Sequence, residues 1–310
     1  MMSWEMGFLW VHLSFGFLLV FLHNGNALSD CDFFNGSWVL DQYSDPLYEP
    51  ETCPFIQREF TCLKNGRPDR VYTQYKWQPR DCDLTRFDGK KFLKKYKGKS
   101  IMFVGDSLSR NQWQSLTCML HSAVPNTKYN LTRVGDVSIF TFMDYEVKVM
   151  LDRNVGPTQP WDYMEEDKKI MKDMDRMVAF EKALTTWTNW VDTNIDPTKV
   201  QVFFQGISPS HYNGGDWNED GVKSCVGQKT AAVGSTYPGG LPPAVAVVKN
   251  VLSKMKKPVK LLDITTLSLL RKDGHPSIYG VDGRTGMDCT HWCLAGVPDT
   301  WNQILYNLIL

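Results

Sequence analysis

Three side chains in this sequence have the types and settings that nucleophilic catalysis requires: Ser107, Asp288 and His291. Ser107 lies in "KSIMFVGDSLSRNQW", residues 99 to 113, where an apolar run meets Gly-Asp-Ser and a helical pattern starts at once. In an open α/β sheet, reactive groups collect beyond the carboxyl ends of the strands, and this junction delivers a hydroxyl there. Gly105 permits a tight turn, and the helix start directs unpaired N–H groups and positive dipole toward the serine. The same features stabilise an oxyanion, so Gly105 and Asp106 are expected beside it. A plainer alternative is that Ser107 or Asp106 only caps the helix, and Gly-Asp-Ser alone does not choose.

A seryl hydroxyl needs a base, and the base needs an orienting group. Four histidines follow the N-terminal apolar segment: 121, 211, 275 and 291. His121 falls near the far end of the helix that Ser107 begins, roughly 20 Å away. His275 lies in the turn sequence "DGHPS", and His211, in "SPSHYNGG", follows a strand end and is the rival base. His291 is preferred because Asp288 precedes it in D-x-x-H within "MDCTHWCLAG". In a tight turn that spacing lets the carboxylate reach Nδ1–H and leaves Nε2 free for the serine. Cys289 and Cys293, if disulfide-bonded, would hold the loop in place. Without that frame, D-x-x-H is no more than an exposed loop ion pair. Arg110 and Asn111, one turn into the helix, are candidates to line the site or to anchor the helix. Of the aromatics at 38, 77, 217 and 292, Trp292, beside His291, is the candidate for stacking on a ligand ring, and Trp38, Trp77 and Trp217 read as packing residues.

The elements around these groups alternate. "SIMFVG", "VSIFTFM", "YEVKVML", "VQVFFQG" and "VKLLDI" read as strands; the segments from 107, 172 and 243, and the closing "DTWNQILYNLI", read as helices. Alternating β and α segments predict a mainly parallel sheet covered on both faces, a three-layer α/β/α sandwich from residue 99 to 310. Residues 31–98 hold four of the eight cysteines among turn sequences such as "DPLYEP" and "NGRPDR", and read as a disulfide-rich module without its own core. Its basic end, "RFDGKKFLKKYKGK", reads as a solvated helix that tucks its aromatics under the main domain rather than as an acidic-glycan patch.

Thirty-four basic residues balance thirty-four acidic ones, so no overall field steers the chain toward nucleic acid or acidic membranes. Residues 6–22 form an apolar run that suits a signal h-region, with a cleavage site after Ala27. The n-region, "MMSWE", has no Lys or Arg, so an uncleaved signal anchor, and with it membrane attachment, is the second reading. All eight cysteines lie beyond this segment, an even count that fits a secreted, disulfide-bonded protein but permits on the order of a hundred pairings. Zinc would need two close ligand pairs, and only Cys289 and Cys293 are near each other. Sequons at Asn35 and Asn130 agree with passage through the endoplasmic reticulum.

"FVGDSLSRNQWQSL" and "DCTHWCLAGVPDTWN" resemble the two signature blocks of the trichome birefringence-like family, plant cell-wall polysaccharide O-acetyltransferases with an SGNH/GDSL-hydrolase-like fold. "CDFFNGSWV", "CPFI" and C-x-x-x-G-R-P-D resemble the cysteine-rich domain that precedes the catalytic part in that family. "YKWQPRDCDLTRFDG", "KDMDRMVAFEKAL", "VFFQGISPSHYN" and "LRKDGHPSIYG" extend the likeness over nearly everything after residue 30. The resemblance implies Ser107 as nucleophile, His291 as base and Asp288 as its orienter, with no bound cofactor and an acetyl donor such as acetyl-CoA or a carrier derived from it. It implies a polysaccharide acceptor (xylan, mannan or pectin) and a Golgi-lumen location, the endoplasmic reticulum or secretion being the alternatives. It also implies the pairs Cys31–Cys82, Cys53–Cys118, Cys62–Cys293 and Cys225–Cys289.

Two departures stand out. Ala295 takes the place of the family's usual proline. More seriously, "VMLDRNVGPTQPWDYM" passes from a strand directly to "QPWD", where relatives carry several dozen more residues, including another strand. A lost interior strand leaves its neighbours' edges unpaired. The expectation is a weakly active or inactive form. The rival functions are a carbohydrate acetylesterase and, from a different class, a noncatalytic glycan-binding or assembly protein.

Overall fold

The computed structural model describes residues 17–20, 31–43, 46–153, 164–166, 168–280 and 287–310. The expected cleavage point after Ala27 and the "QPWD" element lie outside these residues. In chain order the strands and helices are β1 (Phe17–Val20), β2 (Gly36–Leu40), β3 (Tyr75–Pro79), α1 (Gly89–Lys95), β4 (Ser100–Gly105), α2 (Ser107–Ala123), β5 (Tyr129–Val134), β6 (Val137–Phe142), β7 (Val147–Arg153), β8 (Met164–Glu166), β9 (Lys169–Met171), α3 (Arg176–Asn194), β10 (Gln201–Gln205), α4 (Pro243–Leu252), β11 (Val259–Leu262), α5 (Thr265–Leu269) and α6 (Val297–Ile309).

A seven-stranded sheet in the order β11-β10-β1-β4-β7-β6-β5 forms the middle layer. Strand side chains point alternately to its two faces, which gives each face its own helices. Ile101, Phe103 and Phe203 pack in one cluster with Phe92 of α1, Leu116 and Leu120 of α2, and Trp301 and Leu305 of α6. One residue along, Phe204 packs with Phe180 and Leu184 of α3 and Val248 of α4, and Val202 with Val191 of α3. The three-layer α/β/α arrangement is therefore present.

The sheet itself is mixed rather than mainly parallel. β4 pairs with β7 and β10 with β11 in parallel. β5, β6 and β7 form an antiparallel meander, because two- and four-residue connections can join only antiparallel neighbours. β1, drawn from the apolar segment expected to direct secretion, lies antiparallel between β4 and β10 and pairs with both. β4 and β10 are thereby paired on both sides along that register.

The N-terminal module docks on the main core, as its lack of a private core predicts. β2 and β3 form a two-stranded ribbon. Trp38 and Trp77 of this ribbon are buried, and the Trp38 indole N–H donates to the Leu267 carbonyl at 2.7 Å. In α1, capped by Asp88, Phe92 and Leu93 are buried, as is Tyr96 just beyond, while Lys94 and Lys95 face outward. Each large side chain buried in this way contributes about 1.5–3 kcal/mol.

The disulfides are Cys31–Cys82, Cys53–Cys118, Cys62–Cys293 and Cys225–Cys289. Among the described residues no helix is long and apolar enough to cross a membrane. Asn35 and Asn130 are both exposed.

Candidate functional site

Ser107 stands at the first helical position of α2, just past the carboxyl end of β4. Gly105 leaves the strand with φ 154°, a backbone conformation open to glycine. Asp106 is the cap: its carboxylate accepts from the Leu108 N–H at 2.9 Å. Capping is thus done by the aspartate, and the seryl hydroxyl is left for another partner. That partner is His291, whose Nε2 lies 2.7 Å from Ser107 Oγ. On the other side of the ring, Nδ1–H donates to Asp288 Oδ2 at 2.8 Å.

The D-x-x-H turn is organised by the carboxylate itself. Asp288 Oδ1 accepts from the backbone N–H groups of Thr290 and His291, each at 3.0 Å. Burial alone would raise the Asp288 pKa, but these bonds and the imidazole contact favour its charged form and hold it at about 2. The group is therefore an anion throughout the neutral range, suited to fixing the histidine tautomer and to stabilising an imidazolium.

The loop is tied from several sides. Cys289 is bonded to Cys225 in the Gly-rich segment 213–240, and Cys293 to Cys62 in the N-terminal module. Asp288 and Ser277 exchange two backbone bonds, at 2.7 and 3.0 Å. Asn111 clasps the residue after the histidine: its Oδ1 accepts from the Trp292 N–H at 2.8 Å, and its Nδ2 donates to the Trp292 carbonyl at 3.1 Å. Because Asn111 sits one turn below Ser107 on α2, nucleophile and base are referred to the same helix.

This geometry revises several expected roles. Asn111 is 0% exposed and reaches the loop backbone, so it anchors rather than contacts a substrate. Trp292, also 0% exposed, has no face free for a sugar; its ring stacks on His275 at 4.1 Å between centroids, and its indole N–H donates to Ser208. Trp217 is buried like Trp38 and Trp77. The Asp106 carboxylate, engaged as the cap, cannot donate to an oxyanion. The remaining candidate donors are backbone groups at the start of α2, where the Ser107 N–H has no acceptor within the helix. Arg110 turns to Glu59 of the N-terminal module, at 2.8 Å, and burial with nearby Arg153 lowers its pKa. His211, the rival base, is buried and bonded to His275, away from Ser107.

Sequence reasoning missed the module's share of the site. Phe60 lies 5.5 Å from the His291 ring and under the Arg110 guanidinium, and its carbonyl accepts from the Leu294 N–H. The signal available was the cysteine at 62, which ties the same turn to Cys293.

Comparison with known proteins agrees with this architecture. The profile of PC-Esterase, described as a GDSL/SGNH-like acyl-esterase family found in Pmr5 and Cas1p, matches residues 84–156 and 153–308, and the PMR5 N-terminal domain matches residues 29–83. The main-domain match breaks in two where the sequence was read as shortened. In Arabidopsis thaliana, protein trichome birefringence-like 41 is 52% identical over 336 aligned positions covering 94% of each chain. Since 94% of 310 residues is about 291, about 45 of those positions have no counterpart here. Protein trichome birefringence-like 38 is 48% identical over 90% of this chain and 83% of its own. Protein trichome birefringence is 36% identical over 90% of this chain and 56% of its own. With both domains matched in order and close relatives covering nearly its whole length, the chain belongs to the trichome birefringence-like family.

Proposed function

We propose that this protein moves an acetyl group through an acyl-serine to a hydroxyl of a plant cell-wall polysaccharide of the xylan, mannan or pectin type, in the Golgi lumen. The observation that carries the reading is the unbroken chain Ser107 Oγ–His291 Nε2–Asp288 Oδ2, at 2.7 and 2.8 Å. His291 takes the seryl proton as Oγ attacks the donor carbonyl. For a thioester such as acetyl-CoA, the C–S bond then breaks and the proton passes to the departing thiolate. A sugar hydroxyl next gives its proton to His291 and attacks the acyl-serine, and the proton returns to Ser107 as the new ester leaves. Backbone N–H groups at the start of α2 offset the charge on each tetrahedral oxygen. Four disulfides suit an oxidising compartment of the secretory pathway.

The same acyl-serine can be released by water. The acyl-esterase description of the matched family favours that second reading, a carbohydrate acetylesterase. Intact-mass spectrometry after exposure to acetyl-CoA or p-nitrophenyl acetate tests the shared step. One acetyl group mapped to Ser107, absent in Ser107→Ala, is expected; a wild-type protein that never acquires it ends covalent catalysis. Labelled acetyl appearing on an oligosaccharide, rather than as free acetate, separates transfer from hydrolysis. With roughly 45 positions fewer than its aligned relative, this form is expected to turn over more slowly, and equal rates would refute that.

A further inference from the structure

Under the D-x-x-H loop lie two histidines that the acyl-transfer chemistry does not use. His211 and His275 are 0% and 1% exposed. His275 Nδ1 is 2.6 Å from the carbonyl oxygen of His291, His275 Nε2 is 2.6 Å from His211 Nδ1, and His211 Nε2 is 2.8 Å from the Leu269 carbonyl oxygen. The row therefore begins and ends on carbonyls, which only accept. Filling its three contacts takes three protons. A neutral imidazole carries a single N–H, so two neutral rings supply one proton too few. One contact would then set lone pair against lone pair in a place water does not reach, a costly arrangement in a low-dielectric interior.

We propose that His211 and His275 share a third proton, forming a singly charged positioning pair that grips the His291 carbonyl, and that loss of this proton loosens the catalytic loop. The proposal rests on the reading of Ser107, His291 and Asp288 as the acyl-transfer machinery. Two aromatic faces suit a cation here: Trp292 stacks on His275, and Trp217 lies 5.5 Å from His211.

The charged groups around the pair come from four directions. Asp273, beside His275, is bonded to Arg271, and Lys272 to Glu219. Asp216 approaches from the Gly-rich segment, and Asp288 and His291 lie in the loop above. Arg67, from the N-terminal module, donates to the His275 carbonyl at 3.2 Å. Tyr237 meets the His211 ring edge-on. The carboxylates favour the shared proton, whereas Arg67, Lys272 and a charged His291 oppose it. Burial opposes it as well, pushing His275 down and His211 to about 4. The proposal requires the bonding deficit of the neutral pair to exceed that cost; the grip is then present at mildly acidic pH and is lost as pH rises through the pair's titration.

Imidazole ¹⁵N NMR of the full-length protein from pH 5 to 8 counts these protons directly. The expected result at pH 6 is two carbonyl-facing nitrogens fully protonated and the two inner nitrogens sharing one proton. Two neutral rings at pH 5 to 6, with two fully bare nitrogens among the four, would overturn the proposal. The second measurement uses His275→Gln, whose amide can donate to the His291 carbonyl without any charge. Its acylation rate relative to wild type should rise about fivefold between pH 6 and 8, the worth of one hydrogen bond. A pH-independent ratio would refute the switch. If neither protein acylates, the proposed function fails while the NMR count still decides the pair; if the variant does not fold, that count stands alone.

Discussion

Replacing Asp288 with asparagine isolates the orienting role of the carboxylate from its structural one. In the native loop Oδ1 accepts two backbone N–H groups, at 3.0 Å each, and Oδ2 accepts the His291 Nδ1–H at 2.8 Å. An asparagine keeps the first pair by presenting its carbonyl oxygen there. Its NH₂ then faces Nδ1, and two N–H groups cannot both donate across one contact. The ring relieves this by moving its proton to Nε2, which leaves an N–H instead of a lone pair against Ser107 Oγ. The base is still in place but in the wrong tautomer. The analogous change in serine hydrolases lowers kcat by about 10⁴, which corresponds to about 5.5 kcal/mol of transition-state stabilisation. Because the turn-forming bonds survive, thermal stability should fall by less than about 1 kcal/mol. The assay is the pre-steady-state burst of p-nitrophenol from p-nitrophenyl acetate, paired with a thermal melt. A variant within about tenfold of the wild-type burst rate, with an unchanged melt, would refute the assignment of Asp288 as the group that sets the histidine.

Asn111→Leu removes both halves of the clasp on Trp292 and leaves a buried N–H and a buried carbonyl without partners. At about 1–3 kcal/mol for each orphan, Tm should drop by roughly 5 °C or more, with acylation falling alongside; an unchanged melt argues against the clasp. Asp299 is fully buried, and burial raises its carboxyl to about 6 despite bonds from Ser115, the Gly296 N–H and Tyr48. A raised acid pKa favours the protonated native state, so its contribution is complete below about pH 4 and is lost as pH rises to about 6, a change of about 3 kcal/mol. Asp299→Asn should flatten that part of the stability–pH curve measured by urea unfolding, and a curve parallel to wild type would contradict the buried acid.

What could be read along the chain was whatever a single element or turn declares about itself. The β4–α2 junction shows because an apolar run, a glycine and a capping aspartate must follow one another there. The D-x-x-H turn shows because its partners are three residues apart. Contacts between distant segments left no comparable trace. Nothing near Asn111 announces that it meets the backbone of residue 292, and nothing near Phe60 announces that it walls His291. Trp292 was misplaced for a related reason: adjacency to His291 does not say which way a turn directs its next side chain. β5, exposed at every position, has no inward alternation to mark it, and charged Arg133 protects its edge. Strand direction was inferred from alternating β and α segments, and the β5–β7 meander and β1 depart from that pattern.

β1 places two incompatible demands on one stretch of chain. If the segment were removed as an export leader, Phe17–Val20 would go with it; as the rib between β4 and β10, the same stretch closes the middle of the sheet. Proteolytic trimming beyond it would open a slit about 10 Å across, bordered on both sides by backbone groups seeking partners. Such a slit admits any extended peptide able to pair with it, including the same stretch of a sister molecule. Removal of β1 would therefore bear directly on whether copies of the chain associate.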